Sequence, residues 1–317
     1  MDTYRANVDP ARLASDDVPY KRLISDFEYV PMIAVTEADL QASLNRLAGT
    51  SYSNCDKYRQ AIKRVFLRAR KNKIIADNPA EDLLMPPNNR GTHRALELWE
   101  VQHILAHWDD DGVRAGLWVL LMLFCGLRRG ELIALDWEAV DMEKRKLCVE
   151  QVAVIRSNQP EIFQRAKSKA GIRTIPISET LYNALDAIPA AFRHGPVCLS
   201  IHGSRLSESA FTRGLESFCA ALERILNGEP ARAPGKRIGL TGKPKLQFSF
   251  RAHDLRHTFA TMLYAGNVDI KTAAYLLGHA DIRVTMEIYT HLDKEKQGSS
   301  ERLLLKYLDD LSAKIEP

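Results

Sequence analysis

Apolar positions recur at three- and four-residue intervals along most of the chain and alternate along only one stretch, which predicts a mainly α fold with a small antiparallel β-sheet. Helical spacing marks segments near Pro19–Tyr29 and Glu37–Leu47, the second with Thr36 as its N-cap. Tyr58, Ile62, Val65, Phe66 and Ala69 give residues 57–73 one apolar face. Pro86-Pro87 cannot continue a helix, and the Asn- and Gly-rich run that follows predicts a linker over residues 89–95. Beyond it, helices are expected around Leu98–His107, Val113–Cys125, Glu179–Ala187 and Glu208–Asn227. Three helical pieces follow between His253 and His291, and a last one covers about 300–315. The stretch from Lys146 to Ile177 alternates and is rich in Val, Ile and Thr, which predicts one small sheet with a turn at Ser168-Lys169-Ala170-Gly171. The pattern therefore gives a helical domain over residues 1–88 and a larger one over 96–317.

Composition narrows this picture. At 317 residues, 45% hydrophobic and 26% charged, the chain can bury two cores without disulfide staples. Its five cysteines are scattered, none at C-x-x-C spacing, so neither a zinc site nor a disulfide framework is suggested and reduced thiols fit best. The longest apolar stretch, Leu117 to Cys125, is too short to span a bilayer, and no run near the first residue reads as a signal peptide. A net charge of +4 says little by itself, but its distribution says more. Residues 57–73 hold eight basic side chains (Lys57, Arg59, Lys63, Arg64, Arg68, Arg70, Lys71 and Lys73) and no acidic one. Lys63, Arg64, Arg70 and Lys71 fall opposite the apolar face, where an uncompensated basic surface can neutralise phosphates and release counterions. The plainer reading is a soluble helix with a charged side. The Gly- and Pro-rich stretch between Gly228 and Gln247, also basic, reads equally as a DNA-touching loop or a surface insertion.

Three segments carry candidate chemistry. In RAHDLRHTFATML, His253 and Arg256 sit at i and i+3 on one helical face, while His257 should point elsewhere. The arginine fork and a histidine beside it match phosphate oxygens, although lone pairs of this kind are common on surfaces. In FCGLRRGELIAL, Gly126 breaks a very apolar helix and puts Arg128 and Glu131 at i and i+3 on the next. Glu131 can orient Arg128 and leave donors free, or the two can form a structural ion pair. In AYLLGHADIRVTMEIYTH, Gly278 ends a helix as C′, His279 occupies the joint, and Asp281 caps a helix carrying Tyr289. A lone tyrosine usually just fills core space.

Taken together, C-G-L-R-R-G-E-L, H-D-L-R-H-T-F-A-T, L-L-G-H and I-Y-T-H, in this order and spacing, resemble the tyrosine recombinase or phage integrase family. The likeness is near-continuous from about Leu96 to Leu292, and the basic helix followed by N-P-A-E-D-L-L is similar to the end of the family's core-binding domain. The resemblance implies a core-binding domain over 1–88 and a catalytic domain over 96–317. It implies that Arg128 and Arg256 grip a scissile phosphate, that His253 and His279 hydrogen-bond it, and that Tyr289 attacks phosphorus to leave a 3′-phosphotyrosyl link. Glu131 would support Arg128. A lysine on a β-hairpin would protonate the leaving oxygen; Lys167 best fits the family's spacing before Pro176, with Lys169 the alternative. Lys57, Lys63, Arg64, Arg70 and Lys71 would contact the duplex.

No cofactor, metal or ATP is implied. The partners implied are double-stranded DNA at a specific site and a homotetramer in the synaptic complex, with the tail helix at about 300–315 exchanged between protomers. Accessory DNA-bending proteins or an excisionase, no membrane, and a bacterial cytoplasm or nucleoid complete the expectation. Three further readings stay open: a Xer-like resolvase of chromosome or plasmid dimers, a type IB topoisomerase, and a DNA-binding relative without catalysis. The H-D-L-R-H-T and L-G-H blocks favour a recombinase over the topoisomerase. Residues 1–30 are too few for the extra arm-binding domain that many phage integrases carry.

Overall fold

The computed structural model describes residues 10–87, 94–164, 172–231 and 246–290. The chain divides into two compact units, Met1–Thr92 and His93–Pro317, each with its own core.

The first unit contains α1 (Pro10–Phe27), α2 (Glu37–Asn45) and α3 (Tyr52–Lys71). Helix α1 begins upstream of the expected Pro19, which lies inside it; one proline costs a helix a hydrogen bond without having to end it. Helix α2 starts in a capping box, where Thr36 Oγ1 accepts from Asp39 N at 3.3 Å and Asp39 Oδ2 accepts from Thr36 N at 3.0 Å. Leu40, Leu44, Ile62 and Phe66 interlock in the core. A polar knot joins all three helices: Tyr58 Oη donates to Asp26 Oδ2 at 2.8 Å, and Ser43 Oγ sits 2.7 Å from Tyr58 Oη. The basic face of α3 is less uncompensated than its sequence suggests. Lys63 Nζ donates to the Glu81 carbonyl at 2.8 Å, and Arg70 pairs with the Glu81 carboxylate at 3.6 Å. Residue 81 returns from beyond the helix, so no reading of residues 57–73 alone could supply it.

The second unit is built on α5 (Gly116–Cys125), whose Val119, Leu120, Leu121, Met122 and Leu123 are all essentially inaccessible. It starts at Gly116 rather than Val113, because Ala115 takes a left-handed conformation and a side chain at 116 would collide with the Trp108 carbonyl. Around it stand α4 (Leu98–His107), α6 (Arg129–Ala134), α7 (Glu179–Asp186), α8 (Glu208–Leu226), α9 (Ala252–Ala265), α10 (Ile270–Leu277) and α11 (282–290).

Among the described residues the expected single sheet is two. Strands β1 (Val140–Asp141), β2 (Lys146–Val149) and β5 (Arg173–Pro176) form one antiparallel sheet in the order β1-β2-β5. Strands β3 (Gln151–Arg156) and β4 (Gln159–Gln164) form a separate hairpin around Ser157 and Asn158, both at positive φ. The split falls at Glu150. The burial alternation of Leu147, Val149 and Ala153 runs straight through it, so periodicity carries no sign of the break. The expected turn at 168–171 lies outside the described residues, as does the tail helix. Of the 228–247 stretch, residues 232–245 also lie outside; Asn227 clasps Leu246 through two hydrogen bonds, of 2.9 and 3.1 Å. Among the described residues no helix is long and apolar enough to cross a membrane.

Candidate active site

The site grows from three helix boundaries. Helix α5 ends at Gly126, in the left-handed region at φ 57, where any Cβ would collide with the Phe259 ring. The chain then turns through Leu127 and presents Arg128 as the N-cap of α6. Glu131 closes the cap: its Oε2 accepts from Arg128 N at 2.9 Å and its Oε1 from Arg128 Nη1 at 2.9 Å. The contact is consistent with both an orienting role and a structural pair, and the Arg128 side chain is 35% exposed over a fully buried carboxylate.

Opposite lies the C-terminus of α10, which ends on Gly278 at φ 62. The last carbonyls of a helix have no intrahelical donor and carry the negative end of its dipole. Here three arginines from three different elements serve three consecutive carbonyls. Arg173 Nε donates to Leu276 O at 2.8 Å, Arg256 Nη2 to Leu277 O, and Arg128 Nη2 to Gly278 O at 3.0 Å. Arg256 also donates through Nη1 to Gly126 O at 2.6 Å, so it ties the two helix ends together from α9. Arg256 and Arg173 are buried, while Arg128 and His253 reach solvent. A cavity of about 700 Å³ opens beside them, lined by Phe211, Leu215, Phe248 and Phe250 as well as Arg128 and His253.

His279 follows Gly278, and its Nδ1 sits 2.8 Å from the buried Thr285 Oγ1. Burial, then the positive charges of Arg256, Arg128, His253 and Arg173, push its pKa down to about 4, so the ring is neutral near pH 7. Burial would raise the Glu131 carboxyl, but the Arg173 hydrogen bonds and the charges of Arg173 and Arg128 prevail and bring it to about 2. Guanidinium groups gathered around one carboxylate leave an excess of positive charge, an arrangement suited to a tetrahedral oxyanion such as a phosphate.

Arg128, Glu131, Arg256 and His279 are thus brought together, and His253 lies one turn before Arg256 on α9. His257 does not point elsewhere as expected. It stands one turn after His253, with the two rings edge to face at 5.5 Å. Tyr289 is placed differently. It is 5% exposed in a small separate cluster with Phe259, Leu263 and Leu277, edge-on to Tyr264 at 5.0 Å. Its hydroxyl donates to Val268 O at 3.2 Å. Lys167 and Lys169 lie outside the described residues. Lys57, Lys63, Arg64, Arg70 and Lys71 belong to the first unit, described above.

Two members of the site escape a reading by spacing: Arg173 and Thr285. A signal for Arg173 was present, because it shares the inward phase of β5 with Ile175, and with Ile177 just beyond the strand, where a charge needs a buried partner. Thr285 offers none beyond its place on the helix after His279. Among the described residues, no group of three or more His, Cys, Asp or Glu side chains is placed to hold a metal ion.

The chain is 27% identical over 262 residues to the tyrosine recombinase XerC of Alcanivorax borkumensis, covering 80% of this chain and 73% of that protein. It is 34% identical over 203 residues to a XerC-like tyrosine recombinase of Caldanaerobacter subterraneus subsp. tengcongensis, covering 58% of this chain and 47% of that protein, about half its length. Its fold is similar to that of the Tn1549 transposon integrase solved in complex with transposon right end DNA. The TM-score is 0.72 at 21% identity, over 95% of this chain and 96% of that one. Residues 94–296, well over half of the sequence, match the phage integrase family, and the chain belongs to that family of tyrosine site-specific recombinases.

Proposed function

We propose that this chain cuts and rejoins double-stranded DNA at a specific recombination site through a 3′-phosphotyrosyl intermediate on Tyr289, so as to integrate or excise a phage or another mobile element. The observation that carries the reading is the convergence of Arg128 and Arg256 on the α10 C-terminus beside a neutral His279.

Each guanidinium has five donors, so Arg128 and Arg256 can turn part of their forks to the non-bridging oxygens, where negative charge grows in the transition state. His279, held through Nδ1 by Thr285, leaves Nε2 to face the phosphate. His253 donates from the solvent side. Tyr289 leaves the Val268 carbonyl, gives its proton to solvent water and forms a bond to phosphorus. The bond to the 5′-oxygen breaks, and that oxygen takes a proton from Lys167, or from Lys169. The phosphotyrosyl bond conserves the energy of the broken one, so rejoining needs no ATP.

The rest of the assembly follows the family likeness. Residues 1–88 act as the core-binding domain, joined through 89–95 to the catalytic domain. Lys57, Arg64 and Lys71 contact the phosphate backbone, with Lys63 and Arg70 shared between it and Glu81. The chain works as a homotetramer with exchanged tails at about 300–315, assisted by DNA-bending proteins or an excisionase, in the bacterial cytoplasm or nucleoid. A second reading, resolution of chromosome or plasmid dimers, is favoured by the XerC names of the relatives above.

The test offers the protein a randomised duplex library and recovers whatever DNA becomes covalently attached. Adducts are expected with the wild-type chain and none with Tyr289→Phe. Tight binding without any adduct overturns the reading in favour of a DNA-binding relative without catalysis. A short inverted repeat found at chromosomal dimer junctions would select the second reading over the first.

A further inference from the structure

Arg173 is 1% exposed, and the partners of its fork are a carboxylate and a carbonyl of the protein. It uses its fork in two directions at once. Nη2 and Nη1 donate to Glu131 Oε2 and Oε1 at 2.7 and 3.2 Å, and Nε donates to Leu276 O at 2.8 Å. The next residue repeats the link: Thr174 N donates to Tyr275 Oη at 2.9 Å. Strand β5 is therefore fastened to the last turn of α10 at two successive positions. Gly278 completes the fit, since a Cβ there would lie 2.8 Å from Arg173 Nη1.

We infer that Arg173 is a positioning residue, holding Arg128 through Glu131 on one side and His279 through the α10 C-terminus on the other. The inference rests on the reading of Arg128 and His279 as phosphate ligands. When a phosphate draws donors away from Gly278 O and Leu277 O, the Arg173 bond to Leu276 O stays in place, because it faces only protein. A buried ion pair is weak ground for stability, and an apolar pair of similar volume would hold the core as well. Only a planar fork spans a carboxylate and a carbonyl together; a lysine, as a point charge, reaches one of them.

The experiment uses the full chain and a duplex selected by covalent trapping on the wild-type protein. It measures DNA affinity and single-turnover adduct formation for Arg173→Lys, alone and in an Arg128→Ala background. The lysine variant should keep its DNA affinity and lose cleavage rate by on the order of 100-fold, the scale of an angstrom-level misplacement. In the Arg128→Ala background the same change should cost far less, because the two act as a unit. Equal losses in both backgrounds, equal loss of affinity and rate, or no loss at all would overturn the inference. If Arg173→Lys does not fold, Arg173→Met with Glu131→Gln leaves no buried charge unpaired and must show the same pattern. A wild-type chain that forms no adduct would sink the recombinase reading instead, so the two failures are told apart.

Discussion

The Tyr289 hydroxyl donates to the carbonyl of Val268, in the turn between α9 and α10, rather than toward the arginines that converge on the other end of α10. Burial, and then the charge of Asp269, raise its pKa, so the phenol rests protonated. One neutral hydrogen bond of this kind contributes about 1 kcal/mol, little beside what a bound phosphate offers. The hydroxyl is thus held by a bond weak enough to exchange, while the ring is held by its packing.

The first prediction separates that hydroxyl from its ring. Tyr289→Phe keeps the packing on Tyr264 and should lower unfolding stability by about 1 kcal/mol or less. Tyr289→Ala empties a buried aromatic site and should cost about 3–5 kcal/mol. Urea unfolding followed by circular dichroism measures both; equal losses would mean that the ring does not pack as described.

Glu131 makes a prediction in acid. Its carboxyl is held at about 2 against an ordinary value near 4.5. A depressed carboxylate contributes stability that is fully present above 4.5 and is lost as pH falls toward 2. Glu131→Gln removes that window and leaves Arg173 as an unpaired buried charge, at a cost of about 3–5 kcal/mol. Stability curves from pH 6 down to pH 2 should be flatter for the variant, and parallel curves would contradict the assignment.

His279 has the same dependence from a different chemistry. Its folded pKa is about 4 against 6.5, so the unfolded chain binds the proton first, and stability falls as pH drops through 6.5 toward 4. Ring nitrogen shifts followed by NMR should show a neutral imidazole down to pH 5. A midpoint near 6.5 would place the ring away from the arginines.

The proposed leaving-group lysine is tested by chemistry alone. A duplex with a 5′-bridging sulfur leaves without protonation, so it should restore cleavage by Lys167→Ala to near the wild-type rate. Rescue of Lys169→Ala instead moves the role to Lys169.

Local features of this fold were open to reading, because their causes are local. The Thr36 cap, the Cys125-Gly126 break, the Gly278 stop and the pairing of Arg128 with Glu131 all lie within four residues of their partners. What the sequence concealed is joined over long separations. Arg173 meets Glu131 across 42 positions, and Glu81 reaches back 18 positions to Lys63. The same limit explains the two sheets, since pairing partners rather than alternation decide where a strand leaves one ladder for another. Tyr289 shows the limit most clearly. Its spacing from His279 placed it on the next helix, but which way the ring faces depends on Tyr264 and Val268, residues on other elements.

Mapping the covalent adduct tests the account at its centre. A suicide duplex carrying the trapped site is cleaved, the protein is digested, and the DNA-bearing peptide is identified by mass spectrometry. A 3′-phosphate on Tyr289, a free 5′-hydroxyl and no adduct with Tyr289→Phe are expected. DNA attached to another side chain, such as the exposed Tyr275, or joined through a 5′-phosphate, would contradict that expectation.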